Sequence, residues 1–308
     1  MRLNYNNMNL NKSNFSLHKI LNKISTSISL KIWGLRLPLS YVFFNKMYKF
    51  FIMNRKIENK TIQNFHNIGF TKLNLNISEE LSKIKLNFKP LKDDEKKQII
   101  FTDLDNQKNL KEIISTNLRD TINDLKKYYN SNIVVGNVHM FRNHYTDKSV
   151  EGKKEDQVYA NFYHNDGYLI TYIKIFINLM DVNEEDGPLN IISKQKTKVF
   201  IKKTKYKDRY NYIPLEKDDD DLVYKNIGKF GDCFLFSTPE CMHKASIPKK
   251  HRDMMQIILV ATPNEKLILN NINPFEDNKD IVFSTKPYGI VKVIHLLLKH
   301  MFFKWNLR

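Results

Sequence analysis

The stretch that leaves this chain least freedom runs from residue 132 to 262. There "NIVVGNVHMF", "VYANFYHN", "LITYIKIFINLM", "DCFLFS" and "MQIILVATP" follow one another, each short and dense in Val, Ile, Phe and Tyr. Such residues favour extended backbone, and strands this short are stable only when paired into sheets. Several of them at modest spacing, separated by turn signals, predict an antiparallel sandwich or jelly roll. Alternation within "ITYIKIFINLM" is only partial, as in a strand buried on most of both faces. "EEDGPLN" reads as a turn built from Asp186, Gly187 and Pro188. The polar stretch 194–226, with "KDDDD" at 217–221, reads as a solvated loop interrupting the β pattern.

Before the strands the period is helical. "NISEELSKIKLNF" opens with Ser78 ahead of Glu79 and Glu80, a helix-start signal. "NLKEIISTNLRDTINDLKKYY" sets Leu110, Ile113, Ile114, Leu118, Ile122 and Leu125 near a helical repeat. After the strands, "YGIVKVIHLLLKHMFFKWNLR" predicts a basic amphipathic helix. Its apolar arc contains Ile290, Val291, Ile294, Leu297, Leu298, Met301, Phe302 and Trp305, opposite Lys292, His295 and Lys299. Such a helix either lies in a membrane interface or caps the domain. No acidic residue precedes Glu58, and this N-terminal stretch includes the aromatic run "YVFFNKMYKFFIM". It is poor in Arg for an organelle presequence, a role the sequence leaves open, and it lacks the apolar core of a secretory signal. It reads either as a surface segment that touches lipid headgroups or as a frayed tail followed by a helix packed on the core. The expected organisation is a basic extension at 1–57, a domain at 58–285 with its β core at about 130–262, and a terminal helix at 286–308.

Composition excludes more than it assigns. In 308 residues, 42% hydrophobic and 12% aromatic content supports a globular fold. The net charge of +17 is almost all Lys, accompanied by abundant Asn and Ile and scattered along the chain. That pattern follows from AT-rich codons, so nucleic-acid binding is not expected. Cys233 and Cys241 form neither a disulfide framework nor a CxxC site, which suits a reducing, cytoplasmic setting. No apolar run is long enough to span a bilayer.

The chemistry concentrates in "YHNDGY". On extended backbone His164 and Asp166 project to one side and Asn165 to the other, offering one nitrogen and one oxygen ligand from a rigid support. Alone, HxD is more often a hydrogen-bonded structural pair. "FGDCFLFSTPECMHKASIPKKHRDMMQIILVATP" adds His243 after an apolar strand and Arg252 at the start of the next. Two histidines and a carboxylate make the facial triad of non-haem Fe(II) oxygenases, and an Arg can hold a distal carboxylate by a two-pronged ion pair.

"HND", "LMDVNEEDGPLNII" and "GDCFLF" followed by His243 and Arg252 together resemble the Fe(II)/2-oxoglutarate-dependent dioxygenases of the phytanoyl-CoA hydroxylase-like family. The resemblance covers roughly residues 130–262. It implies a double-stranded β-helix (jelly roll, cupin-like) braced by N-terminal helices. It also implies His164, Asp166 and His243 as Fe(II) ligands and Arg252 on the 2-oxoglutarate carboxylate. The activity implied is O2-dependent oxidation, most simply hydroxylation, of an unactivated C–H bond with release of succinate and CO2. Two departures stand out. "NIISKQK" replaces the Pro-Gly-Ser-His turn that often follows "GPL". Ala245 stands where a hydroxylic residue often follows the distal histidine, so Ser246 is the candidate co-substrate contact. Gln256 shares strand parity with Arg252 and is a further cofactor-side candidate; Arg142 is a candidate for a substrate carboxylate or for a surface ion pair. The substrate class is a small or lipid-like molecule. An inactive binding protein on the same scaffold, and a peripheral membrane protein seated by its basic ends, are the alternatives; oligomeric state is open.

Overall fold

The computed structural model describes residues 20–29 (Asn22 aside), 37–91, 96–146, 160–206, 222–263 and 290–306. The first 19 residues and the acidic run at 217–221 lie outside the described residues. A seven-stranded antiparallel sheet runs in the order β1 (Phe70–Leu73), β8 (Cys233–Phe236), β5 (Tyr172–Asn178), β10 (His251–Thr262), β4 (Asn132–His144), β3 (Lys97–Phe101) and β2 (Asn87–Phe88). Against it stands a three-stranded sheet in the order β7 (Val223–Lys225), β6 (Leu189–Ile192), β9 (His243–Ala245). Two facing sheets with these crossings form the jelly-roll, double-stranded β-helix architecture.

Strand parity explains why both faces of the large sheet are apolar. Phe141, Phe176, Phe234, Phe236 and Met254 point inward and form one core cluster with Leu189 and Ile191 of the small sheet. The alternate residues Ile173, Ile175, Ile177, Leu235, Met255 and Ile257 point outward into a second, larger cluster made with helices. Those helices are α2 (Leu39–Phe51), α3 (Lys60–Ile68), α5 (Leu104–Asn117), α6 (Arg119–Tyr129) and a C-terminal α8 (Ile290–Asn306); a short α1 at 23–29 precedes them and α4 is Ser78–Ser82. Gly136 is the extra residue of a bulge, since Asn137 pairs with Ile258 while Val135 pairs with Leu259.

Local chemistry sets the helix ends. The Asn59 side chain accepts from the Thr61 and Ile62 amides to start α3, and Gly69, at φ 88, ends it. Asp103 caps α5 on the Asn106 amide, and Asn130, at φ 45, closes α6. The helical pattern at 104–129 breaks at Leu118 into α5 and α6. "NISEELSKIKLNF" yields only the five-residue α4 before the chain extends into β2.

Three expectations change. Part of the stretch expected as a loop is a helix, α7 (Lys194–Lys203), started by the Ser193 hydroxyl accepting from the Lys196 amide and seated by Thr197, Phe200 and Ile201. The described part of "VYANFYHN" is not a ladder strand; its pairing is an isolated bridge between His164 and His243. α8 docks on α2 through Val293, Leu297 and His300, at the edge of its apolar arc. Along a helix turning 100° per residue, the buried seam lies about a quarter-turn from the centre of that arc. Residues 37–53 follow the alternative of a helix packed on the core, because Phe44, Tyr48 and Ile52 are buried in the same cluster as Tyr129 and Val293.

Candidate metal centre

Two backbone hydrogen bonds build the site. The His164 amide donates to the His243 carbonyl at 2.9 Å and the His243 amide returns to the His164 carbonyl at 2.8 Å. Residues so paired place their side chains on one face at close range, and the imidazole centroids are 4.4 Å apart. The Asp166 amide bonds the Thr238 carbonyl at 3.1 Å, keeping the chain extended for two more residues and returning the carboxylate to that face. Asn165 turns away and donates to the Pro239 carbonyl. One ligand atom from each of His164, Asp166 and His243 lies within 4.8 Å of the others, and both histidines are buried.

Each imidazole is oriented by its own backbone. His164 Nδ1 lies 2.8 Å from the Phe162 carbonyl and His243 Nδ1 lies 3.0 Å from the Cys241 carbonyl. A carbonyl only accepts, so Nδ1 carries the proton on both rings and Nε2 is the ligand nitrogen. His243 also meets the edge of Phe236 at 5.1 Å. Burial and then the neighbouring His164 push the His243 pKa down to about 3, which keeps that ring neutral and its lone pair ready for a metal. Burial by itself would raise the Asp166 pKa, but the Lys174 ammonium and the two imidazoles hold the carboxyl well below its usual range. This donor set of two imidazole nitrogens and one carboxylate oxygen fits a divalent first-row metal, with the remaining positions left for other ligands.

Sequence reasoning missed Lys174. Its ammonium sits 2.6 Å from Asp166 Oδ2, while Oδ1 lies 3.9 Å from His164 Nε2. The available signal was a single Lys inside the apolar strand "ITYIKIFINLM".

The cofactor-side candidates divide. Arg252 is only 1% exposed and donates from its guanidinium to the Gly187 carbonyl, at the turn that carries "DGPL". Gly187, at φ 68, has Ser246 and Pro248 backbone so close that a Cβ would overlap them. Lys97 is an exposed residue whose ammonium lies over the Phe141 ring, 3.9 Å from the centroid. Desolvation, then the positive charges of Lys174 and Arg252, push the Lys97 pKa down to about 8. Three cations thus act on one region of the barrel interior. Gln256 lines a cavity of about 630 Å³ together with Lys97, His139 and Phe141. Ser246 is half-buried one residue past β9, its amide on the Pro188 carbonyl, and Ala245 rather than Ser246 shares the parity of His243. Arg142 faces the other side of β4, in a two-pronged ion pair with Asp253 at 2.6 and 2.7 Å and stacked over Phe88. Of its two alternatives, the ion pair is the one Arg142 makes in this structure. Both cysteines are buried thiols, and burial pushes Cys233 up to about 12.

No protein-family model and no curated protein sequence matches the chain. Among solved structures, the non-haem α-ketoglutarate-dependent epimerase SnoN from nogalamycin biosynthesis is similar at 11% identity, over 66% of this chain and 82% of that one, with a TM-score of 0.41. HygX from Streptomyces hygroscopicus, with nickel and 2-oxoglutarate bound, is similar at 12% identity, over 67% and 88%, with a TM-score of 0.42. EctD from S. alaskensis, with 2-oxoglutarate and 5-hydroxyectoine, is similar at 13% identity, over 68% and 79%, with a TM-score of 0.41. The likeness is loose, so the fold rests on the strand order and the site on its own geometry.

Proposed function

We propose that the protein is an Fe(II)/2-oxoglutarate-dependent oxygenase acting on a small-molecule or lipid-like substrate. One observation carries the reading: two Nδ1-anchored histidines and a carboxylate converge within 4.8 Å inside a jelly roll. His164 and His243 would hold the metal through Nε2 and Asp166 through Oδ1. Arg252, with Lys97 and Lys174 adding positive potential, would receive the distal carboxylate of 2-oxoglutarate. When bound, the iron supplies O2 activation coupled to decarboxylation of 2-oxoglutarate to succinate and CO2. The chain's own residues orient the imidazoles, keep His243 neutral and draw a dianion into a desolvated cradle. Hydroxylation of a C–H bond is the simplest outcome of that chemistry.

Anaerobic titration of the purified protein with Fe(II) and 2-oxoglutarate tests the reading through the visible metal-to-ligand charge-transfer band. The band is expected in the wild type, absent in His243→Ala, and shifted to at least tenfold higher 2-oxoglutarate in Arg252→Gln, a loss of about 1.4 kcal/mol or more. Far-UV circular dichroism checks that both variants fold. A wild type that binds iron without developing the band would make the protein a non-catalytic β scaffold.

A further inference from the structure

α8 carries more apolar surface than its docking consumes. Val293, Leu297 and His300 are buried against the core, whereas Val291, Ile294, Leu298, Phe302 and Trp305 remain exposed, Val291 and Trp305 to 78%. α2 extends the same surface with exposed Phe43, Phe50 and Phe51. The two helices are continuous there, since Phe51, Met301, Lys304 and Trp305 line one shallow groove and Lys304 donates to the Phe51 carbonyl. α1 is tied to the start of α2 by the Leu39 amide on the Ser25 hydroxyl, and it too exposes Ile24 and Ile28.

Charge identifies what this surface suits. No Asp or Glu occurs in residues 20–29, 39–51 or 290–306, while Lys46, Lys292 and Lys299 flank the apolar faces. A second copy would bring like charges together at a two-fold contact. None of the described helices is long and apolar enough to cross a membrane. Exposed Phe and Trp beside Lys, on helices held flat by a folded core, match the headgroup region of a bilayer, where amphipathic rings and snorkelling Lys are both satisfied.

We propose that the α2–α8 face seats the protein on an anionic lipid surface, with Phe50, Phe51, Phe302 and Trp305 at the headgroup–acyl boundary. Lys46, Lys292 and Lys299 then lie against the lipid phosphates. The inference does not depend on the oxygenase reading, and its test uses neither iron nor 2-oxoglutarate.

The full chain is sedimented with phosphatidylcholine vesicles with and without phosphatidylserine. Binding is expected on phosphatidylserine vesicles and should weaken as salt rises. The double variant F302E/W305E should lower partitioning roughly tenfold or more, because two interfacial aromatic side chains become charged. V291D, at the other end of the helix, provides a second variant with the same expectation. In a W33F background Trp305 is the sole indole, and brominated lipid should quench it. No sedimentation on phosphatidylserine vesicles, or equal partitioning in F302E/W305E and V291D, overturns the proposal. So does light scattering that finds a wild-type dimer and monomeric variants, which would assign the face to a second copy.

Discussion

Lys174 and Asp166 form an ion pair at 2.6 Å with both side chains largely withdrawn from solvent. In the metal-free protein the ammonium supplies the cation that a buried carboxylate requires. A divalent ion at the triad would use Oδ1 and leave Oδ2 to Lys174, so one carboxylate would serve both cations. The two cations repel each other, which weakens metal binding while the pair stabilises the fold. Lys174→Met separates the effects. Removing one partner of a buried pair costs about 3–5 kcal/mol, so the metal-free variant should melt well below the wild type. Co(II) or Mn(II) should then raise the melting temperature of the variant more than that of the wild type. Equal gains in both proteins, measured by differential scanning fluorimetry, would show that Lys174 does not couple to the metal.

At the scale of elements, α8 is held by a polar thread as well as by apolar contacts. Tyr48 of α2 donates to the Tyr129 carbonyl at 2.8 Å and meets Ser131 Oγ at 3.0 Å, and Ser131 meets His300 Nδ1 at 2.7 Å. Burial pushes the His300 pKa down to about 3 from an ordinary 6.5. The unfolded chain therefore binds a proton that the folded chain refuses between those values. Stability should rise with pH across that window and fall on acidification, at about 1.4 kcal/mol per pH unit for this group. His243 adds to the same slope, and His300→Gln should remove only its own share; urea midpoints at pH 4.5 and pH 7 measure the difference. A wild-type midpoint unchanged between the two would refute the assignment. This docking also shows what sequence can and cannot reveal. The 3.6-residue period announced α8 correctly, but it reports which side of a helix is apolar, not which side finds a partner. The partner, α2, lies in a stretch whose composition left open a lipid-touching surface segment or a helix packed on the core. α7 escaped notice because only Thr197, Phe200 and Ile201 anchor a Lys-rich segment. His164 and Asp166 were legible because two ligand types stand at a fixed local spacing, whereas His243, far along the chain, was picked out only by the apolar strand before it and Arg252 after it. Lys97 and Lys174 were not, because their convergence depends on cross-strand register that no local pattern encodes.

For the molecule as a whole, the large sheet separates two tasks. Its inner face, with the small sheet, holds the polar site; its outer face, with the helices, holds most of the core. α2 and α8 close that outer layer, so α8 is structural as well as a surface. Deleting residues 290–308 would remove Val293 and Leu297 from the core cluster, take the His300 ring from Phe44 and Tyr48, and strip the Ser131 hydroxyl of its His300 partner. Each fully buried aliphatic side chain contributes about 1.5–3 kcal/mol and a buried hydrogen bond about 1 kcal/mol. The sum is several kcal/mol, against a typical total stability of about 5–15 kcal/mol. The truncated protein should therefore lose a large fraction of its urea resistance, and loss of lipid binding by it alone would say nothing about membranes. Because the triad is carried by β9 and the bridge at His164, on the other side of the sheet, whatever fraction stays folded should still form the Fe(II)–2-oxoglutarate band. A truncation with an unchanged urea midpoint would mean that α8 adds nothing to the fold. A folded truncation without the band would mean instead that the two faces of the sheet are coupled, and that the outer layer sets the geometry of the site.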